Sequence, residues 1–415
     1  MVRILLYTPN FLPELTGSGK YNGELAEWLV RRGHQVDVIT AHPYYPQWQV
    51  HKEYRNKLWL IERKGLLTIR RTPLYVPKKP TGTTRMLHEL SFAFNSLPYW
   101  IGALFRKYDI LISVCPPMQV GLLPYLYSTF KRTPFVFHIQ DLQVDAARTL
   151  GLIKNKTLLS LLSKVENFLL QNASVVSSIS EGMREVILGK NVKPERYFML
   201  PNWVDTDFIQ PLPQKDTLRS MFGFKLDDIV VLYAGNLGEK QGVEGLLTVV
   251  ENMAHDSRVK FVINGDGALR EALVTEAKRR GLSNVYFSRG VSYQQLPQLL
   301  AMATIHLVIQ KKGMSNLVLP SKLTSIMAAG GAAIVTAEPN STLANELITN
   351  RLTIVVPPED PQALENSIRI LIDSPSLEDF QTNARRYAID NFNQDMILDK
   401  FETLLFDLIL DNSVS

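Results

Sequence analysis

The residues of this chain best placed to do chemistry are cations that lack carboxylate neighbours. From Ala277 to Ala337 there is no aspartate or glutamate, although the chain holds 40 of them. Lys278, Arg279, Arg280, Arg289, Lys311, Lys312 and Lys322 give that window a charge of +7. It closes on Pro320-Ser321-Lys322-Leu323, followed by the apolar stretch Thr324 to Gly330. Proline and serine ahead of such a stretch are helix-start signals. A lysine in the first turn is disfavoured by the helix dipole unless an anion sits in front of it. Free N–H groups at the same helix start would complete a site suited to phosphate. A solvated basic face is the alternative.

Two glycine turns point the same way. Gly235-Asn236-Leu237-Gly238-Glu239-Lys240-Gln241-Gly242 follows an apolar β run and precedes a helical pattern, and Asn264-Gly265-Asp266-Gly267 ends the next β run in the same way. Glycines there are expected to let backbone N–H groups face a diphosphate. In the front half, Gly17-Ser18-Gly19-Lys20-Tyr21 superficially suggests a P-loop. That pattern requires glycine where Glu14 stands and Ser or Thr where Tyr21 stands, so a nucleoside triphosphatase is excluded. What remains is a tight turn, either admitting a substrate to the backbone or purely structural.

Phe137-His138-Ile139-Gln140-Asp141 closes another β run, with Asp145 four residues on. His138 and Asp141 at a strand end would set a neutral hydrogen-bond donor beside a carboxylate. A buried structural histidine is the alternative. No second histidine falls at ligand spacing, so no metal site is expected. Glu338 and Glu346 follow the β run Ala332–Thr336 and are read as surface residues.

Such residues need a scaffold that gathers loop ends, and the chain carries one twice. In the front half, β runs at Val2–Tyr7, Val36–Thr40, Ile110–Val114, Phe135–His138 and Ser174–Ser177 alternate with helical patterns such as Gly19–Arg32. In the back half, Ile229–Ala234, Val259–Asn264, Asn284–Ser288, Ile305–Ile309, Ala332–Thr336 and Thr353–Val356 do the same. The alternation predicts an α/β fold with parallel sheets, whose ligands sit at the carboxyl ends of the strands. The hinge reads as Leu200 to Asp205, giving domains 1–203 and 204–393. A last helix, 394–415, has an apolar face of Ile397, Leu398, Phe401, Leu404, Leu405 and Leu408 that could pack on either domain.

A length of 415 residues accommodates two such domains. The single cysteine, Cys115, excludes an internal disulfide and suits a reducing compartment. No signal-peptide pattern and no membrane-length apolar run are seen, so a cytoplasmic location is expected. Residues 1–200 carry 26 Lys+Arg against 14 Asp+Glu, with basic pairs at Arg63-Lys64, Arg70-Arg71 and Lys78-Lys79. Such a half could face nucleic acid, anionic lipid or a phosphorylated acceptor. Nucleic acid is disfavoured, because aromatics and basic pairs are not interleaved. Leu87–Phe105, rich in aromatics and flanked by Arg85 and Arg106-Lys107, reads either as a helix in a membrane interface or as a core helix.

Taken together, five stretches carry a resemblance. They are Pro13 to Gly19 with Arg32-Gly33-His34-Gln35-Val36, His138 to Asp145, Pro201-Asn202-Trp203-Val204-Asp205, Gly235-Asn236-Leu237-Gly238, and Pro320-Ser321-Lys322-Leu323 with Met327 to Gly331. The chain resembles, over essentially its whole length, the family-four glycosyltransferases of the GT-B fold, in particular the colanic-acid-type exopolysaccharide enzymes of the fucosyltransferase kind. That resemblance implies two Rossmann-like domains facing across a cleft. It implies a retaining, metal-independent transfer, with no cofactor, from a nucleotide-diphosphate sugar to a polyprenyl-diphosphate-linked saccharide. A GDP-sugar such as GDP-fucose is the favoured donor, and peripheral residence on the inner face of the plasma membrane is expected. His138 and Asp141 would be catalytic. The donor would lie on Gly235, Asn236, Gly238, Lys240, Gln241, Gly265, Gly267, Pro320, Ser321, Lys322 and Ser325, and the acceptor near Gly17, Ser18, Gly19, Tyr21 and Asp145.

The chain departs from the family pattern at four positions. Asn236 and Gln241 stand where an arginine and a lysine grip the diphosphate, and Leu317 and Ser325 where two glutamates hold the sugar and ribose hydroxyls. Lys240 and Lys322 are the candidates to replace the missing charge, and Ser325 is left to bond ribose. A sugar-nucleotide epimerase on the same fold and a non-catalytic nucleotide-sugar binding protein stay open as rivals.

Overall fold

The computed structural model describes residues 1–15, 17–78, 81–149, 155–238, 241–312 and 321–414. The chain divides into two compact units, Met1–Pro201 with the residues from Leu398 onward, and Asn202–Ile397.

The first unit runs β1 (Arg3–Tyr7), α1 (Ser18–Arg31), β2 (Gln35–Ala41), β3 (Leu60–Lys64), β4 (Leu67–Thr72), α2 (Gly82–Leu104) and β5 (Ile110–Cys115). It continues through α3 (Leu122–Lys131), β6 (Phe135–Ile139), α4 (Gln143–Thr149), α5 (Lys156–Asn172), β7 (Val175–Ser178), α6 (Glu181–Leu188) and β8 (Tyr197–Met199). Among the described residues the strands form one sheet in the order β3-β4-β2-β1-β5-β6-β7-β8. All neighbours are parallel except the antiparallel pair β3 and β4. Ile110–Cys115 and Phe135–Ile139 are buried at every residue, as strands with both faces covered must be.

The β3–β4 hairpin corrects the reading of the basic pairs. Arg70 and Arg71 lie inside the sheet, 6% and 2% exposed. Arg70 pairs with Asp37 at 3.3 Å, while Arg71 meets Glu62 at 3.0 Å and donates to the Leu12 carbonyl at 2.6 Å. Their charge is therefore spent inside the unit and is not offered to a lipid or nucleic acid.

The second unit repeats the winding with β9 (Ile229–Ala234), α7 (Leu246–Asn252), β10 (Val259–Asn264), α8 (Arg270–Arg279), β11 (Val285–Ser288), α9 (Leu296–Ala301) and β12 (Ile305–Val308). Then come α10 (Ser321–Ala328), β13 (Ala333–Thr336), α11 (Thr342–Thr349), β14 (Ile354–Val356), α12 (Pro361–Ile372) and α13 (Leu377–Phe392). The sheet order is β11-β10-β9-β12-β13-β14, parallel throughout.

The last helix, α14 (Gln394–Val414), belongs to the first unit from Leu398 onward. Phe401 packs near Phe198, at 6.0 Å between ring centroids. Glu402 accepts from Arg32 Nη2 at 2.8 Å and from His34 Nε2 at 2.6 Å. Val2 N–H donates to the other ring nitrogen of His34, so the imidazole proton lies on the side of Glu402.

Candidate functional site

In the second unit the strand order turns over between β9 and β12. Loops leaving the carboxyl ends of two such strands run in opposite directions, and the crevice between them is where open α/β sheets take ligands. The turn after β9 carries Gly235, Asn236, Gly238 and Gln241, and the segment after β12 carries Lys311 and leads to α10, which Ser321 opens. The fold brings these two segments together. A Cβ placed on Gly235 would lie 3.5 Å from Lys322 Nζ, and one on Gly242 would lie 3.1 Å from Cγ of Lys311.

Lys322 is the distinctive group. Its ammonium lies 4.4 Å from the ring centroid of Tyr233, within cation–π distance. Desolvation pulls its pKa down from the ordinary lysine value to about 8, with no carboxylate among the described residues acting against it. A cation held out of water without a counter-charge costs free energy until an anion arrives. The other six cations of the window are ordinary. Arg279 and Arg280 pair with Glu276, Arg289 reaches Asp266 at 3.9 Å, and Lys311 reaches Glu244 at 3.8 Å. Lys278 and Lys312 are exposed to solvent.

The glycine turns work differently from the sequence expectation. Gly235 N–H donates to the Asn264 carbonyl and Leu237 N–H to the Asp266 carbonyl, both at 2.9 Å. Gly265 N–H goes to the Ser288 carbonyl at 3.0 Å, and Gly267 N–H to Asp266 Oδ1 at 2.9 Å. A Cβ on Gly265 would sit 1.9 Å from the Gly235 carbonyl oxygen, and one on Gly267 would sit 2.6 Å from Asn236 Oδ1. These glycines let the two turns lie against each other; that contact takes up the Gly235 and Leu237 N–H groups, while Gly265 N–H goes to β11 and Gly267 N–H to its own turn. Gln241 N–H likewise turns back to the Gly238 carbonyl at 3.0 Å. Among the described residues, Lys322 and the start of α10, whose first turn holds no acid, suit an anion. Ser325 lies on α10 one turn beyond, partly buried. Lys240, Leu317 and Pro320 lie outside the described residues.

The first unit has its own switch point, between β1 and β5. Gly17, at φ 58°, precedes α1, which Ser18 opens. Gly19 packs on Glu14, where a Cβ would fall 2.8 Å from Glu14 Cβ. Tyr21 is buried and lies under Lys20, whose Nζ is 4.7 Å from its ring centroid. Glu14 was noticed in the sequence only for spoiling a P-loop. Its carboxylate is buried and accepts from the N–H groups of Tyr44 and Tyr45 at 2.7 and 2.8 Å and from Asn10 at 2.9 Å. Desolvation nevertheless raises its pKa.

His138 lies within β6, opposite Ser177 of β7, and is 4% exposed. The β run read from the sequence ended at His138; the strand runs on to Ile139. Gln140 Nε2 donates to His138 Nε2 at 2.9 Å, which leaves the imidazole proton on Nδ1, donated to Ser177 Oγ at 2.9 Å. Burial pushes its pKa down to about 3, so the ring is neutral. Asp141 follows, partly buried, its carbonyl accepting from the Cys115 thiol at 3.8 Å. Asp145, on α4, is committed elsewhere: it pairs with Lys190, which also holds Glu166, and with Arg148 at 3.4 Å.

Helix α2 buries one face in the core and leaves apolar residues of the other exposed. Phe92 and Trp100 face the core, at 1% and 5% exposure, whereas Leu87, Leu90, Phe94, Ile101 and the following Phe105 are exposed, Phe94 at 72% and Phe105 at 87%. No described helix is long and apolar enough to cross a membrane.

Two parallel α/β domains in one chain, each with a ligand edge at its own switch point, are the architecture of the GT-B glycosyltransferases. Whole-chain comparison agrees. Sucrose-phosphate synthase from Thermosynechococcus elongatus matches with a TM-score of 0.72 over 99% of this chain and 100% of that one, at 19% identity. Anabaena Alr3699/HepE in complex with UDP-glucose matches with a TM-score of 0.69 over 98% and 100%, at 16% identity. The family described as "Glycosyl transferase 4-like domain" covers residues 16–203, and "Glycosyl transferases group 1" covers residues 214–389. The chain belongs to the family-four glycosyltransferases. It is 38% identical to the glycosyl transferase WcaI of Escherichia coli (strain K12), named for colanic acid biosynthesis, over 96% of this chain and 98% of that protein.

Proposed function

We propose that this glycosyltransferase moves a sugar from a nucleotide-diphosphate donor, with a GDP-sugar such as GDP-fucose favoured, to a lipid-linked saccharide in exopolysaccharide synthesis. The observation that carries the donor half is Lys322, a desolvated ammonium at the switch point of the second unit with no carboxylate beside it among the described residues. The role in exopolysaccharide synthesis rests on the 38% identical relative, and the sugar on the resemblance of the motifs. The donor's diphosphate is assigned to Lys322, the start of α10, Gly238 and Lys240, and the acceptor to the first unit near Gly17, Ser18, Gly19, Tyr21 and Asp145. As the diphosphate departs it gains negative charge, and a cation and N–H groups fixed beforehand stabilise it without reorganising. His138, neutral at working pH, orients the transferring sugar or the acceptor once Gln140 releases its Nε2, and Asp141 orients the incoming group. The reaction is taken to retain configuration without a metal, with front-face attack assisted by the leaving phosphate.

A lipid-linked acceptor and residence on the inner membrane face draw support from the outward side of α2, where Phe94 is exposed, and from the exposed Phe105 that Arg106 and Lys107 follow in sequence. A thermal-shift panel of GDP-, UDP-, ADP- and dTDP-sugars tests the donor assignment, because a ligand that binds only the native state raises the melting temperature. GDP-fucose is expected to give the largest shift, and no shift with any of them would sink the reading. Incubating the stabilising donor alone separates transfer from epimerisation, since only an epimerase returns an isomer. Binding to anionic liposomes that weakens with added salt is expected, and indifference to both lipid charge and salt would count against membrane residence.

A further inference from the structure

We infer that Tyr233 is a positioning residue of the donor site, seating the Lys322 ammonium and fixing the turn that follows β9; the inference rests on the donor reading above. Tyr233 is the fifth residue of β9, at the switch point, and is wholly buried. A tyrosine in a core needs a partner for its hydroxyl. The partner here is the Asn236 carbonyl, which accepts at 2.8 Å, three residues further along the chain and one past Gly235. The face of the same ring carries Lys322 Nζ at 4.4 Å. Both groups converge on Gly235, where a Cβ would lie 3.7 Å from the tyrosine hydroxyl and 3.5 Å from the ammonium.

One side chain thus holds both walls of the crevice. Its hydroxyl sets the path of the turn after β9, and its ring receives a cation arriving from α10, on the other side of the switch. Without the ring, the ammonium would lose its π face and have no carboxylate among the described residues to replace it, and its long stem would swing toward water. Its rotamer freedom would then have to be lost again on binding. Burial pushes the phenol pKa up, so the hydroxyl stays protonated and remains a donor. This arrangement answers the loss of charge at Asn236 and Gln241: a seated lysine replaces cations carried on the turn itself.

The test is a double-mutant cycle on the full-length protein, reading the affinity for GDP and for UDP by calorimetry. Tyr233→Leu should weaken the nucleoside diphosphate that the wild type binds by about tenfold. Tyr233→Phe, which keeps the ring, should stay within about threefold of wild type. In a Lys322→Met background, Tyr233→Leu should change affinity by less than about twofold, because the partner it seats is gone. Equal losses in the two backgrounds would mean a merely structural tyrosine and would overturn the inference, as would unchanged affinity in Tyr233→Leu. Should the leucine variant fail to fold, Tyr233→Met fills more of the space and enters the same cycle. A wild type that binds neither GDP nor UDP defeats the donor reading itself, a result visible before any substitution is made.

Discussion

The two switch points of this chain are built alike and equipped differently. In the first unit the edge is closed upon itself: the Glu14 carboxylate takes three donors from Asn10, Tyr44 and Tyr45, and Gly19 packs on Glu14. In the second unit the turns are also zipped together, yet one charge, the Lys322 ammonium, has no counter-charge among the described residues. Satisfied groups hold a loop in place, while a desolvated charge with no partner gains only when a ligand arrives. The difference assigns bracing to one edge and anion capture to the other.

The sharpest break of that comparison is a pair of glycine substitutions. Gly265→Ala forces a methyl to within 1.9 Å of the Gly235 carbonyl at a φ of 154°, so the second unit should lose on the order of 4 kcal/mol or fail to fold. Gly17→Ala meets only the Tyr45 ring, at 3.6 Å, and should cost about 2 kcal/mol, because φ 58° with ψ −146° is a conformation open almost only to glycine. Denaturant unfolding of the two variants checks this, and equal losses would show that the loops are not built differently.

Lys322→Met comes next. Removing a charge that faces a diphosphate should weaken nucleotide binding by about 30- to 100-fold, while leaving the melting temperature equal or higher, because a desolvated ammonium is gone. The same lysine sets a pH dependence. Its pKa is about 8 in the free protein, and a bound diphosphate raises it. Affinity should therefore hold below pH 8 and fall above it by up to about tenfold per pH unit. In Lys322→Met that limb should vanish. Turnover should show no limb near pH 6.5 from His138, whose ring stays neutral down to about pH 3.

Glu14→Ala probes the first edge. It strands the N–H groups of Tyr44 and Tyr45 and should cost about 2 kcal/mol of stability, with nucleotide affinity unchanged. A loss of nucleotide affinity instead would place this carboxylate in the donor's company and erase the contrast between the two edges.

The sequence made some of this legible and hid the rest for physical reasons. Parallel strands buried on both faces read as apolar runs, so β1, β5, β6, β9 and β10 were visible. The β3–β4 hairpin was not, because Arg70 and Arg71 look like surface charge until Asp37 and Glu62 are found beside them. In the carboxylate-free window six of the seven cations are paired or solvated in the fold, and pairing to acids outside it, as Arg280 does with Glu251, depends on folding. Tyr233 escaped notice, and Glu14 was noticed only for spoiling a P-loop, because a single buried tyrosine or glutamate has no local pattern. The glycines were found for the wrong reason: they admit a neighbouring backbone, and a sequence does not say which backbone approaches.

The smallest expected effect tests how far the capture of anions extends along the second edge. Lys311 passes over Gly242; its side chain is 38% exposed and its ammonium lies 3.8 Å from Glu244. Water and that carboxylate already answer its charge, so Lys311→Met should weaken nucleotide binding by no more than about threefold at physiological salt. The residual effect should disappear in high salt, whereas that of Lys322→Met should persist, because a desolvated charge is poorly screened. Equal sensitivity of the two variants to salt would mean that Lys322 is no more sheltered than its neighbour, and that desolvation does not distinguish the capturing cation from the solvated ones around it.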